Sequence, residues 1–403
     1  MSQFSRLFYF EWKKICKRKG TWICLAILTA FYLVTGIFYF VGSKYVDGEF
    51  LETHIDGRDR DLANGRRMKG TKIDQQLLMQ IQEAFGSIPA DDPKYQLTDE
   101  YLSNVRPYEG VYQIVNNMLY NSSGRTLHVT EEELYEIRDN NVKSTWDQYG
   151  LTEAEIEYWK NKEGHIEKPF TYEYAQAYDF LVSMSGVYRV CLLVTFFIAV
   201  CMSGVFTEEH GRKTDQLILC SRLGRKQIYY AKIAAGSVFS LLVTVILLLC
   251  SIFSAFLFYG TDGFSAAIQL IAPQYSYDMT MGEAFLILAG ILLLSSVMAS
   301  IFTMILSELT KSSIASMAVV IAVMFLARLI PIPLMYRVIS QAWNFMPINL
   351  LKFDAGFWDP RLVPVFGLKL TSWQFVPAVY ILLSIVFLYA GKKIYCGYQV
   401  QGR

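Results

Sequence analysis

The sequence has few of the residues that an enzyme needs for catalysis or for binding a metal. Its four histidines all lie outside the long apolar runs: His54, His128, His165 and His210. Neither HExxH nor GxSxG occurs, and the cysteines and histidines lack the spacing of a metal site. We therefore expect no catalytic residues, no metal site and no cofactor in this chain.

A nucleotide-binding GxxxxGK[ST] loop is also absent. The nearest match, GRKT at 211–214, pairs basic residues with a threonine but lacks the glycine-rich backbone that surrounds phosphates. Asp and Glu are missing from the apolar runs, which disfavours coupling to protons or sodium through intramembrane carboxylates. Energy for any work that this chain performs must therefore come from another protein.

Charge is scarce and balanced. Charged residues make up 18% of the chain, with 37 basic against 36 acidic, so the sum shows no basic footprint for nucleic acid. By contrast, 53% of residues are hydrophobic and the mean hydropathy is +0.28. This composition indicates a partner of another kind, the lipid bilayer.

Six apolar runs are long enough to be membrane spans, because a hydrocarbon core of about 30 Å needs roughly 20 helical residues. They are Thr21–Val41, Val187–Phe206, Ile233–Phe258, Ala284–Leu306, Ile314–Ile330 and Phe375–Ala390. The first lacks a small-residue cleavage site and is therefore not a signal peptide. The pattern predicts an all-α integral membrane protein with six transmembrane helices.

Lysine and arginine predict the orientation of the spans. They concentrate in residues 1–20, in the segment 207–231 between spans two and three, and after the last span, whereas the loop 260–283 has none. Both termini are therefore expected in the cytoplasm of a multi-pass protein. The first segment, 1–20, has Phe4, Leu7, Phe8, Trp12 and Ile15 on one face, as an amphipathic helix along the inner membrane surface would.

Residues 42–185, between span one (21–41) and the membrane domain (186–403), form a large acidic segment predicted to be extracellular. It carries 15 Lys and Arg against 26 Asp and Glu and contains no cysteine, which favours a bacterial cytoplasmic membrane over a disulfide-rich secreted scaffold. This domain either binds a ligand or caps the outer mouth of the spans, and the sequence leaves both readings open.

The same segment is predicted to be helical. Ile73, Leu77, Ile81 and Phe85 recur at helical spacing, and Thr130/Glu133 and Thr152/Glu155 have the spacing of capping boxes. Residues 56–70 have little apolar content and are expected to form a flexible loop. The proline-rich loop 331–373 is too apolar for an ordinary exposed loop, so it either re-enters the membrane or lies on its surface.

The stretch "FTEEHGRKTDQLILCSRLGRKQIYYAK", residues 206–232, is a charged island between apolar spans. Composition alone fits either a solvated basic loop or helices on which another protein docks. The stretch resembles the segment after the second span in permeases of type-two (exporter) ABC transporters. The matching residues are Phe206, Glu208, Glu209, Thr214, Asp215, Leu217, Leu219, Ser221, Gly224, Arg225 and Lys232. His210 departs from the usual Tyr or Arg, and Lys213 from the usual Gly.

The resemblance implies that this island is the coupling helix, which docks into a groove of the cytoplasmic ATPase. Residues 1–20 resemble the family's connecting helix, and a large helical insertion after span one occurs in a subset of Gram-positive members. The coupling residues implied are Glu208, Glu209, Thr214, Asp215, Leu217, Leu219 and Arg225.

A function as the permease subunit of an ATP-driven exporter follows from the resemblance. ATP and Mg would then be bound by separate ABC ATPase subunits, and a second permease copy or a sister permease would complete the transporter. The substrate implied is an antimicrobial peptide, a drug or a lipid. The competing hypothesis is a membrane sensor or receptor subunit whose extracellular domain binds a ligand.

Overall fold

The computed structural model describes residues 3–86, 88, 93–119, 128–183, 185–211 and 225–397, and helices dominate them. In chain order the helices are α1 (Gln3–Lys17), α2 (Lys19–Val41), α3 (His54–Met68), α4 (Gln75–Gly86), α5 (Glu109–Met118), α6 (Glu131–Gln148), α7 (Glu153–Glu163), α8 (Gln176–Val182), α9 (Val187–Met202), α10 (Gly204–Gly211), α11 (Lys226–Tyr259), α12 (Met281–Thr310), α13 (Ser313–Leu329), α14 (Arg337–Asn344), α15 (Pro347–Leu350) and α16 (Ser372–Gly397).

Five helical stretches in the described residues are long and apolar enough to cross a membrane. They are Lys19–Ile37, Gln176–Gly211, Lys226–Tyr259, Met281–Thr310 and Ser372–Gly397. The predicted fifth span corresponds to α13, whose 17 residues rise about 26 Å, slightly less than a hydrocarbon core of about 30 Å. The helical membrane character is therefore confirmed, and the count of six spans stays a prediction.

Helix α1 packs against the membrane helices through one face. Ile15 is buried, and the Trp12 ring lies 5.4 Å from the ring of Phe239 in α11. Phe4 is exposed, so only part of the predicted apolar face meets the bundle, and Phe10, outside that face, is exposed as well. The helix therefore presents apolar side chains outward as well, as a helix at a membrane surface would.

The acidic segment after α2 begins with an antiparallel hairpin, a departure from the all-helical prediction. Strands β1 (Ser43–Val46) and β2 (Glu49–Thr53) are joined by Asp47 and Gly48, both at positive φ. Asp-Gly is a typical pair for such a turn, because it tolerates left-handed backbone. A second hairpin, β3 (Val363–Val365) with β4 (Leu368–Leu370), lies just before α16.

The prediction that residues 56–70 form a flexible loop is wrong, because helix α3 occupies most of them. The Thr53 side chain caps its first turn by accepting a hydrogen bond from the Asp56 amide. The Arg106 guanidinium, distant in sequence, pairs with Glu52 at 2.7 Å and with Asp61 at 3.1 Å. These tertiary ion pairs hold a polar helix that composition alone does not indicate.

The capping predictions are confirmed. Thr130 and Glu133 form a reciprocal capping box at the start of α6, and Thr152 and Glu155 do so at α7. Of the predicted apolar face, Leu77 and Ile81 are buried on α4, Ile73 is buried just before it, and Phe85 is partly buried. Each box satisfies backbone amides that would otherwise lack partners at a helix start.

Glu155 also connects α7 to the loop before α16. Its carboxylate accepts a hydrogen bond of 2.8 Å from the Leu362 amide and pairs with Arg337. The indole of Trp159 donates to the Pro360 carbonyl at 2.7 Å. The loop 331–373 therefore packs against α7, and its predicted path relative to a membrane stays a prediction.

Glu155→Gln is expected to make the protein less sensitive to acid. Burial raises the pKa of Glu155, but hydrogen bonds from Thr152 and Leu362 and the charge of Arg337 outweigh burial, so the pKa is lowered. A lowered carboxyl pKa stabilises the fold above the unfolded value of about 4.3, and this stability is lost as pH falls through the folded pKa.

At neutral pH the Glu155→Gln substitution should lower the free energy of unfolding by about 1–3 kcal/mol, since it weakens a buried hydrogen-bonded contact. The measurement is the midpoint of thermal unfolding of the detergent-solubilised chain from pH 7 to pH 3. The wild-type midpoint should exceed that of the variant at pH 7, and this difference should disappear as the pH approaches 3. Parallel curves for the two proteins across the whole range would contradict this role of Glu155.

Candidate functional site

The short helix α10, which follows α9 after the single residue Ser203, contains the described start of the charged island. Phe206 is buried, with its ring 5.4 Å from that of Tyr395 and 6.2 Å from that of Tyr229. This aromatic anchor fixes the helix against the ends of α11 and α16. The charged residues that follow it, Glu208, Glu209 and His210, then point to three different neighbours.

Glu209 lies in a buried cluster of four alternating charges. Lys232 of α11 donates to Glu209 at 2.6 Å and to Glu11 of α1 at 2.9 Å. Lys14 of α1 donates to the same two carboxylates, at 2.9 and 2.7 Å respectively. The Lys232 side chain is only 1% exposed, whereas that of Lys14 is 48% exposed. The ring of contacts joins α1, α10 and α11.

The carboxylates of the cluster favour the charged form of Lys14. Burial lowers the pKa of Lys14, but contacts with Glu11 and Glu209 outweigh this effect, so the pKa is raised. Lys232 also lies 5.6 Å from the centre of the Phe206 ring, a favourable position for a cation. Two acidic and two basic side chains therefore compensate one another, and all of them except Lys14 are largely closed to water.

Glu208 and His210 make the other two connections. The Arg18 Nε atom lies 3.0 Å from a Glu208 carboxylate oxygen, and its terminal nitrogens donate to the Cys201 and Gly204 carbonyls. His210 Nε2 lies 2.9 Å from Glu308 at the end of α12. Helix α10 is thus tied by side-chain charges to the chain before α2 and to α1, α11 and α12.

The structure brings Glu208 and Glu209 into this network and leaves Arg225 exposed just before α11. The predicted coupling residues Thr214, Asp215, Leu217 and Leu219 lie outside the described residues. In the described ranges no group of three or more His, Cys, Asp or Glu residues could hold a metal ion. The described contacts of Glu208, Glu209 and His210 connect α10 with neighbouring helices.

Sequence reasoning missed Glu11 and Glu308 as members of this site, and it named Lys232 only as a match to the family segment. A signal was available, since Glu11 falls on the apolar face of α1 beside Trp12 and Ile15, where an acidic residue needs a partner. The identity of that partner was not available, because Glu11 and Lys232 are 221 residues apart.

A bundle that contains five helices long and apolar enough to cross a membrane is the architecture of a multi-pass membrane protein. The chain belongs to the ABC-2 family transporter proteins, whose family model matches residues 7–384. Its resemblance to an ABC-2 type permease is thereby confirmed over nearly the whole chain. Permeases of this family are the membrane components of ABC transporters and work with ATP-binding subunits.

Two further comparisons add no relatives. Neither a curated protein nor a solved structure matches the chain significantly.

Proposed function

We propose that this chain is the permease subunit of an ATP-driven exporter, in which the segment 207–231 receives movement from an ATP-binding subunit. The observation that carries the proposal is the network of charged contacts around α10. A docking segment can drive the membrane helices only if its displacement is transmitted to them. The network supplies such a connection to α1, α11 and α12.

The buried cluster would transmit force because separating its members is costly. Moving Glu209 away from Lys232 would leave a buried lysine and a buried glutamate without full compensation. Leaving a buried charge without its partner costs about 3–5 kcal/mol. Helices α1, α10 and α11 should therefore move together, as in a rigid-body transition between inward-open and outward-open states.

Docking and transmission would then fall to different residues. Glu208, with a side chain 42% exposed, and Arg225 are accessible, whereas Glu209 faces the buried cluster. A cavity of about 760 Å³ bordered by Glu208, His210 and Lys311 opens at the same end of the bundle. We assign contact with the ATPase to Glu208, Thr214, Asp215, Leu217, Leu219 and Arg225, and transmission of the movement to Glu209.

The remaining parts of the proposal come from the family and from charge distribution. ATP and Mg are bound by the partner ATPase subunits, and a second permease copy or a sister permease completes the pathway. Both termini lie in the cytoplasm of a bacterium, and residues 42–185 lie outside. The substrate class is an antimicrobial peptide, a drug or a lipid, moved outward.

Glu208→Ala combined with Arg225→Ala is expected to weaken binding of the cognate ATP-binding subunit about tenfold or more, since 1.4 kcal/mol of lost contact is tenfold in affinity. Both side chains are accessible, so the buried cluster stays intact. Glu209→Ala would be a poor docking test, because it removes a carboxylate that pairs with the buried Lys232. The measurement is ATPase retained on the tagged permease in nanodiscs, together with its hydrolysis rate.

The matched control is Glu157→Ala, an exposed carboxylate on α7, in the domain after α2. It should retain the ATPase as wild type does. If wild type binds no ATP-binding subunit in nanodiscs or mild detergent, the exporter proposal fails, and a sensor that signals through the same network becomes the better explanation.

A further inference from the structure

A second cavity, of about 390 Å³, lies at the opposite end of the bundle, beneath the domain formed by residues 42–185. Helix α7 forms one wall, the segment 276–279 and the start of α12 form another, and the start of α16 closes the third. Both α12 and α16 are apolar enough to span a membrane. The cavity therefore sits where membrane helices meet the polar domain.

Three buried polar groups in residues that line this cavity have no hydrogen-bond partner within the described part of the chain. They are the hydroxyls of Ser276 and Thr371 and the indole nitrogen of Trp373. Ser276 and Thr371 are each 2% exposed. Buried polar groups nearly always have a partner, so three unpartnered groups in the residues around one cavity favour a ligand that supplies it.

The chemistry of these groups specifies one part of the ligand. An indole nitrogen can only donate a hydrogen bond, and both hydroxyls can donate as well. Lys162 adds a cationic donor to the lining, and α16 begins at Ser372, so its positive N-terminal end is adjacent. This side of the cavity suits acceptor oxygens that carry negative charge, such as those of a phosphate diester.

The other side suits a cation. Asp278 and Glu283 both line the cavity, and one Glu283 oxygen is engaged by the Thr280 amide at 2.8 Å in a capping box. Asp278 is exposed at the rim. A ligand with an ammonium group as well as a phosphate would therefore satisfy both sides.

An apolar wall completes the site. Leu286 and Ile287 of α12 also line the cavity, and Leu286 is 56% exposed on a helix of membrane-spanning length. The cavity is thus continuous with a surface suited to hydrocarbon chains. An amphiphile could place its headgroup inside the cavity while its chains run along α12.

We propose that this cavity binds the headgroup of a zwitterionic aminophospholipid such as phosphatidylethanolamine. The phosphate oxygens accept hydrogen bonds from Ser276, Thr371 and Trp373, and the ammonium group pairs with Asp278. Such a lipid would bridge α7, α12 and α16 at the membrane boundary. The inference rests on the site and on the membrane helices, and it does not depend on the direction of transport.

The test is a lipid titration of the full chain in detergent, followed by native mass spectrometry, with phosphatidylethanolamine and phosphatidylglycerol as probes. Wild type should bind the former about tenfold more tightly, because only it carries an ammonium group for the carboxylates. Ser276→Ala combined with Thr371→Val should lower its affinity about tenfold. These hydroxyls bond no described protein group, so the unfolding midpoint without added lipid should stay unchanged.

Asp278→Asn tests the other half of the site and should bring the two lipids within about threefold of each other in affinity. Glu157→Gln, an exposed carboxylate of α7 that does not line the cavity, should behave as wild type. Equal binding of both lipids by wild type would overturn the proposal. So would unchanged binding in the double hydroxyl variant, or a preference for phosphatidylglycerol.

Discussion

Lys232→Met is expected to destabilise the protein by about 3–5 kcal/mol, because it leaves buried carboxylates without their main cation. Lys232 bridges Glu11 and Glu209, and both carboxylates are largely closed to water. After the substitution Lys14, which is half exposed, would still pair with both carboxylates, but from the solvent side. The measurement is the midpoint of thermal unfolding of the purified chain, with recovered yield as a second readout.

Two variants make this result interpretable. Lys226→Met removes an exposed lysine from the first turn of the same helix and should change stability by less than about 0.5 kcal/mol. Adding Glu11→Gln and Glu209→Gln to Lys232→Met removes the stranded charges and should recover much of the loss. If Lys232→Met alone unfolds at the wild-type temperature, the buried cluster does not hold α1, α10 and α11 together.

Arg361→Met should have an effect of similar size at the other end of the molecule, about 3–5 kcal/mol. Arg361 and Asp359 form an ion pair whose side chains are both 0% exposed. Arg361 also donates to Ser340 at 2.6 Å and to the Arg337 carbonyl at 3.2 Å, which fixes α14. Loss of the guanidinium would leave the Asp359 carboxylate with a single side-chain donor, Asn344, among the described contacts.

The control for this prediction lies in the same loop. Lys369 is exposed and donates to one carbonyl, that of Ala154, so Lys369→Met should be nearly neutral. Limited proteolysis would locate the damage, since the segment 331–373 should become the first site of cleavage in Arg361→Met. Wild-type protease resistance and an unchanged unfolding midpoint in that variant would refute a structural role for the pair.

The elements that could be predicted from sequence are those specified by near neighbours. The apolar runs indicated the membrane helices, and threonine followed three residues later by glutamate indicated the starts of α6 and α7. The Asp47-Gly48 hairpin was equally local and was overlooked in favour of a purely helical domain. Helix α3 was mistaken for a loop because its stabilising partner, Arg106, lies well beyond any local window.

The candidate site, too, was predictable in part from the sequence and in part only from the structure. The pattern of residues 206–232 identified the family and singled out Glu208, Glu209 and Arg225 from sequence alone. It did not distinguish an accessible glutamate from a buried one, although the two are adjacent. Helix geometry decides this, since consecutive residues point about 100° apart, so that Glu209 meets Lys232 while Glu208 meets Arg18.

The sequence by itself determined that this is a helical membrane protein of the ABC-2 kind, because hydropathy and short motifs act over one or two helical turns. Only the tertiary structure decided which charges are buried together and which polar groups lack partners. Glu11 with Lys232, and Ser276 with Thr371, come from segments far apart in the chain. Their proximity depends on how whole helices pack, and burial then gives a charge or a hydroxyl an energetic weight that it lacks in water.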